Sequence, residues 1–178
     1  MTAAFCRVGR ALTERTGLVE RVRFVHGSAL ALPLRAAAFD VVWTQHSTMN
    51  IADKERLYTE AYRVLRPGGL LVFHEVMAGS GGPPYYPAPW ADEPSISFLV
   101  LPEEMRARLT RLGFVERAWL DVTATAVEEM RRARPAFGPP HLLVLTHGPE
   151  AGITILRNFH RSVEEGRVAV IQAVFERA

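Results

Sequence analysis

The sequence predicts an α/β fold, with a mainly parallel sheet and helices on both faces. Three observations carry this. Continuous apolar runs such as Phe39-Asp40-Val41-Val42-Trp43-Thr44 suit strands buried on both faces. Segments with apolar residues at helical spacing alternate with these runs, a pattern that folds as parallel strands joined by crossover helices. Glycine or proline punctuates most junctions. With 178 residues, 48% hydrophobic and 22% charged, the chain has the length and composition of one domain with a core.

The elements follow in order. Residues 3–16 predict a helix, with Phe5, Val8 and Leu12 on one stripe and Gly17 ending it. Val22-Arg23-Phe24-Val25 predicts a short strand. Leu30 to Ala38 reads as a loop containing Pro33, and Phe39 to Thr44 as a buried strand. Asp53 suits the N-cap of a helix over 54–65, with Leu57, Ala61, Val64 and Leu65 as its apolar stripe. Pro67-Gly68-Gly69 stops it, and Leu70 to Val76 is the next strand. Residues 77–95 form a Gly- and Pro-rich stretch long enough to suggest a functional loop. A helix over 102–112 ends at Gly113, and Phe114 to Val122 follows as a strand. Thr123 or Thr125 then caps a helix reaching about Arg134. After a Pro/Gly-broken stretch at 135–150, a helix over about 151–164 ends at Gly166, and Arg167 to Phe175 is a last strand.

Composition narrows the function classes. The net charge is only +2, from 21 basic and 19 acidic residues. Lys54 is the sole lysine, and the arginines are scattered, often beside acids. No basic stripe interleaved with aromatics suggests nucleic acid. Cys6 is the only cysteine, so no internal disulfide is possible; a reducing cytoplasm fits. No apolar run reaches the roughly 20 residues that span a bilayer, and residues 1–10 lack the pattern of a signal peptide. The six histidines show no metal-ligand spacing, so no metal site is expected.

A doubly wound sheet binds its ligand outside the carboxyl ends of its strands, commonly at a Gly-rich turn opening a helix. This sequence has no strand-Gly-x-Gly-x-x-Gly-helix unit. Gly79-Ser80-Gly81-Gly82 is Gly-rich, but Pro83-Pro84 follows instead of a helix.

Three segments together resemble the class I S-adenosylmethionine-dependent methyltransferases. They are Val25-His26-Gly27-Ser28-Ala29-Leu30-Ala31-Leu32-Pro33 followed by Phe39-Asp40-Val41-Val42; Met49-Asn50-Ile51-Ala52-Asp53-Lys54; and Glu60-Ala61-Tyr62-Arg63-Val64-Leu65-Arg66-Pro67-Gly68-Gly69. Within that family the chain is similar to the glycine/sarcosine/dimethylglycine N-methyltransferases. The residues carrying this narrower likeness are Gln45 to Asn50, His74-Glu75, Tyr86 to Ala91 and Ser97-Phe98-Leu99. The resemblance implies a Rossmann-like sheet of strand order 3-2-1-4-5-7-6, in which Met1 falls just after the second strand. The expectation is a single incomplete domain over residues 1–178, lacking the first two strands, with an exposed apolar edge on strand 4 open to self-association or a partner.

The resemblance also implies roles for residues. S-adenosyl-L-methionine is the implied cofactor, which carries the chemistry while the protein orients it. Ser28 and Ala29 match the family's acid-Ala pair at the adenine, with a hydroxyl in place of the acid; a plain strand-ending turn is the alternative. Gln45 matches the position facing the cofactor's amino-acid part, or else caps loop backbone. His46 could take a proton from an amine near neutral pH, or be a structural histidine. His74 and Glu75 point toward the same cleft and could orient an amine. Tyr86 and Trp90, with Tyr85, could hold a methylated ammonium on their ring faces, or anchor the loop.

The leading expectation is methyl transfer to a small molecule, on an amine nitrogen. The alternatives are a non-catalytic remnant or partner-dependent subunit, and another nucleotide-binding α/β enzyme. The Arg63–Gly69 turn and the Met49–Lys54 segment argue against the last.

Overall fold

The computed structural model describes residues 3–133 and 142–178. Its elements are α1 (Ala3–Arg15), β1 (Phe39–Gln45), α2 (Lys54–Val64), β2 (Leu65–Ala78), α3 (Pro102–Arg111), β3 (Phe114–Asp121), α4 (Thr123–Ala133), α5 (Leu142–His147), α6 (Pro149–Glu164) and β4 (Val168–Arg177). The four strands form one sheet in the order β1-β2-β4-β3. The pair β1/β2 is parallel, and β4 runs antiparallel to both β2 and β3. Three strands therefore point the same way, and β4 inserts between two of them. This order corresponds to the 4-5-7-6 part of the strand order implied by the sequence resemblance.

Alternation along β2 assigns its two faces. Leu71, Phe73 and Met77 pack with Leu57, Tyr58 and Ala61 of α2 and Met105 and Leu109 of α3. Val76 lies on the other face, in a second cluster with Met49, Val163 and Val168, against which Val127, Phe159 and Trp90 pack. Helices thus flank both faces. The helix α2 starts where expected, because the Asp53 carboxylate accepts the Arg56 N–H at 2.8 Å.

The joint between α2 and β2 is tighter than the sequence suggests. The strand already begins at Leu65, and Pro67-Gly68-Gly69 lies inside it. Pairing jumps from Phe39↔Leu65 to Val41↔Leu70, so extra residues of β2 bulge out there. Gly68 takes a φ of 75°, and a Cβ on Gly69 would lie 2.9 Å from the Arg66 carbonyl oxygen.

Two expectations are corrected. Val22–Val25 is not a strand: no described strand pairs with it, and Val22 and Val25 stay exposed. The hydroxyl of Thr123 does not cap α4 but accepts the Val170 N–H across to β4; the Asp121 carboxylate accepts the Thr123 N–H instead. The stretch 135–150 lies partly outside the described residues, and α5 occupies 142–147. No helix among the described residues is long and apolar enough to cross a membrane.

Candidate active site

The carboxyl end of β1 is where sequence-predicted site residues meet. Gln45, its last residue, is the register partner of His74 on the parallel β2. Both line an open cleft of about 260 Å³ on the sheet face opposite α2, with Trp43, Val72, Gln172, Val174, Ala118 and Leu120. The chain then turns sharply. His46 adopts a left-handed φ of 45°, uncommon for a residue with a side chain, and its N–H donates to the His74 carbonyl at 2.9 Å. The two imidazoles sit 4.6 Å apart between centroids. Partial burial, reinforced by the neighbouring His74, holds the His46 pKa below its ordinary value. Its ring is therefore neutral near pH 7 and free to accept a proton.

Glu75 is corrected: it does not point into this cleft. Strand alternation turns it to the α2 face, where it is 1% exposed. Its carboxylate accepts the backbone N–H of Ser47 at 3.2 Å and of Thr48 at 3.4 Å. Burial pushes its pKa up, against the Thr44 hydroxyl of β1 and the Thr48 and Ser47 groups of the loop, which pull it down. Lys54, 4% exposed, holds the same loop by its carbonyls, with Nζ donating to Thr48 O at 2.8 Å and Ile51 O at 2.6 Å. Desolvation lowers its pKa to about 8, with Glu75 opposing the shift.

The Pro-rich loop joins this site through Asn50. Its side-chain amide donates to the carbonyls of Trp90 at 2.6 Å and Ile96 at 2.8 Å, and Phe98 N–H donates to Met49 O. Trp90 is half-buried. Its Nε1–H donates to the Ser97 hydroxyl, and its ring meets Phe159 edge-on. Tyr86 is half-buried in the same loop, whose Pro87 carbonyl accepts from Asn158. Tyr85 is committed elsewhere: its hydroxyl donates to Glu165, and the guanidiniums of Arg161 and Arg167 cover its ring. The Gly79–Gly82 run packs backbone on backbone. Gly79 and Gly81 donate their N–H groups to the Arg167 and Gly166 carbonyls, and a Cβ on Gly79 would sit 2.1 Å from Gly166 O.

Ser28 and Ala29 do not line this cleft and have a separate support. The exposed Ser28 hydroxyl accepts the Leu30 N–H at 3.1 Å, while Ala29 packs on the main core. Behind this turn, Glu60 accepts the Leu32 N–H, Arg63 donates to the Leu32 and Leu34 carbonyls, and Glu60 and Arg63 pair at 2.8 Å. Arg56 donates to Leu30 O. Sequence reasoning missed this support and the buried charges of Lys54 and Glu75 beside the loop. The one available signal was that a chain with 21 basic residues keeps a single lysine, at Lys54.

The fold matches that of a geranyl diphosphate C-methyltransferase from Streptomyces coelicolor A3(2), with a TM-score of 0.78 at 18% identity over 99% of this chain and 60% of that one. The chain thus has the class I methyltransferase fold. More narrowly, residues 1–73 match the family described as a methyltransferase domain. Over 104 residues the chain is 36% identical to the glycine/sarcosine/dimethylglycine N-methyltransferase of Actinopolyspora halophila, covering 58% of this chain and 18% of that protein. Over 125 residues it is 30% identical to the sarcosine/dimethylglycine N-methyltransferase of Halorhodospira halochloris, covering 70% of this chain and 45% of that protein. The chain therefore spans less than half the length of these curated relatives.

Proposed function

We propose that residues 1–178 act as a single S-adenosyl-L-methionine-dependent methyltransferase domain in the cytoplasm, methylating an amine nitrogen of a small molecule of the sarcosine or dimethylglycine kind. The observation that carries this reading is the grouping of Gln45, His46 and His74 at the carboxyl end of a parallel strand pair. The names of the relatives support the choice of acceptor.

The donor set suits the cofactor. The exposed Gln45 amide offers both a donor and an acceptor to an aminocarboxylate, and Ser28 with Ala29 offers a hydroxyl and backbone to an adenine. When bound, that cofactor supplies a methyl group on a sulfonium, already a strong electrophile. What remains for the chain is alignment and proton handling. His46, neutral near pH 7, accepts the proton that the acceptor nitrogen gives up. His74 orients the acceptor beside it. Tyr86 and Trp90 offer ring faces to the methylated ammonium, each contact worth about 0.5–2 kcal/mol.

A second reading rests on a separate observation. The sheet face along β1 is open, with Trp43 68% exposed, and the α1 stripe of Phe5, Val8 and Leu12 is also exposed. Such surfaces favour association with another chain, and catalysis would then require that assembly. A methyl-transfer assay with glycine, sarcosine and dimethylglycine, run across protein concentration, separates the two. Turnover per chain that is independent of concentration supports the first reading. Turnover that rises with concentration supports the second, and no turnover at any concentration rejects both as catalytic accounts.

A further inference from the structure

The loop from His46 to Ile51 joins the histidine pair to the Pro-rich loop, and it contains a residue in a left-handed conformation. Such a backbone persists only where its surroundings over-determine it. The surroundings here are two opposite charges buried on the α2 side of the sheet. We propose that Glu75 and Lys54 form a clamp that grips the backbone of residues 47–51 from both sides and thereby positions His46 and Asn50.

The chemistry is complementary. An anion accepts N–H groups, those of Ser47 and Thr48, while a cation donates to C=O groups, those of Thr48 and Ile51. Thr48 is held at both ends of its residue and is itself buried. Burial makes the grip strong, because water cannot replace a partner that is lost. Glu75 also offsets part of the cost of burying Lys54, and a buried charge left without partners would be costly. The other ionisable groups facing this pair are Tyr58, fully buried on α2, and Arg108 of α3. From the clamped segment, His46 extends back to the His74 carbonyl, and Asn50 reaches forward to the Trp90 and Ile96 carbonyls. Glu75 and Lys54 are positioning residues; neither lines the cleft.

The consequence for turnover rests on the reading of His46 as proton acceptor, but the clamp is tested without it. The experiment is NMR on the 178-residue chain and its Glu75→Ala, Glu75→Gln and Lys54→Met variants. Two signals are read: amide exchange at Ser47 and Thr48 relative to core amides of β2, and titration of the His46 ring. In Glu75→Ala the two amides should exchange about tenfold faster or more relative to the core, the size of losing a hydrogen bond to a charged group. The His46 pKa should return toward its ordinary value as its ring gains solvent and leaves His74. Glu75→Gln and Lys54→Met should move both signals in the same direction, by less. If Glu75→Ala does not fold, Glu75→Gln is decisive. As the sole lysine, Lys54 adds a check: acetic anhydride should label it slowly in the wild-type chain and faster in Glu75→Gln. Folded variants with unchanged loop exchange and unchanged His46 titration would overturn the clamp. Loss of methyl transfer in the wild-type chain with these signals intact would instead remove only the functional reading.

Discussion

At the scale of the residue, His46 combines a left-handed backbone, a partly desolvated ring and a second imidazole 4.6 Å away. The backbone conformation alone costs on the order of 1–3 kcal/mol. The lowered pKa sets the direction of the pH dependence. Because only the neutral ring accepts a proton, kcat/KM should rise as pH increases through a value below 6.5 and level off by neutral pH. In His46→Gln the rise should vanish and kcat should fall by about a hundredfold or more. A retained rise would assign it to another group.

Glu60 gives a second prediction at this scale. The Arg63 guanidinium, then the Leu32 N–H, hold its pKa at about 2 against the opposing effect of desolvation. A depressed carboxylate contributes stability that is present above the unfolded pKa, near 4.5, and lost as pH falls toward 2. Glu60→Gln should therefore flatten the acid limb of a urea-denaturation series between those values. An unchanged slope would contradict the role of this pair in holding residues 32–34. Sequence reading singled out His46, Gln45 and His74 because each stands at or beside a strand end. It could not tell which of His74 and Glu75 faces the cleft, since alternation separates neighbours but does not say which face packs on α2.

At the scale of the element, legibility depended on whether a segment's partner was local. The cap of α2 and the Leu57, Ala61 and Val64 positions of its stripe lie within a dozen residues, and they read correctly from sequence. Val22–Val25 has the composition of a strand, but a strand also needs a neighbour, and no described strand pairs with it. The α2–β2 joint was read as a stop, yet the backbone passes through it without leaving the sheet. Gly69 faces the Asp40 and Arg66 carbonyls too closely for a side chain. Gly69→Ala should destabilise the chain by about 1–3 kcal/mol, seen as a lower melting temperature. Gly17→Ala meets open space but keeps a positive φ, so its cost of about 1–2 kcal/mol comes from the backbone alone. An unchanged melting temperature in Gly69→Ala would show that the two carbonyls give way to a side chain.

At the scale of the whole molecule, the apolar surface is unevenly covered. The α2 and α3 face is closed by a continuous core, whereas Val41 and Trp43 of β1 and the α1 stripe are left open. Sequence reasoning anticipated an exposed edge on this strand. It did not anticipate the open sheet face, because a continuous apolar run gives no sign of which face lacks a cover. Sedimentation velocity should show association that weakens in Trp43→Lys. A monomer at all concentrations in the wild-type chain would remove the case for an assembly.

A cofactor seated at the carboxyl end of β1 should be measurable by calorimetric titration of the 178-residue chain with S-adenosylhomocysteine, with Gln45→Ala as the companion. The expected result is saturable binding that is weakened in Gln45→Ala while folding is unaffected. A folded wild-type chain that releases no heat of binding, or a Gln45→Ala chain that binds equally well, would contradict it.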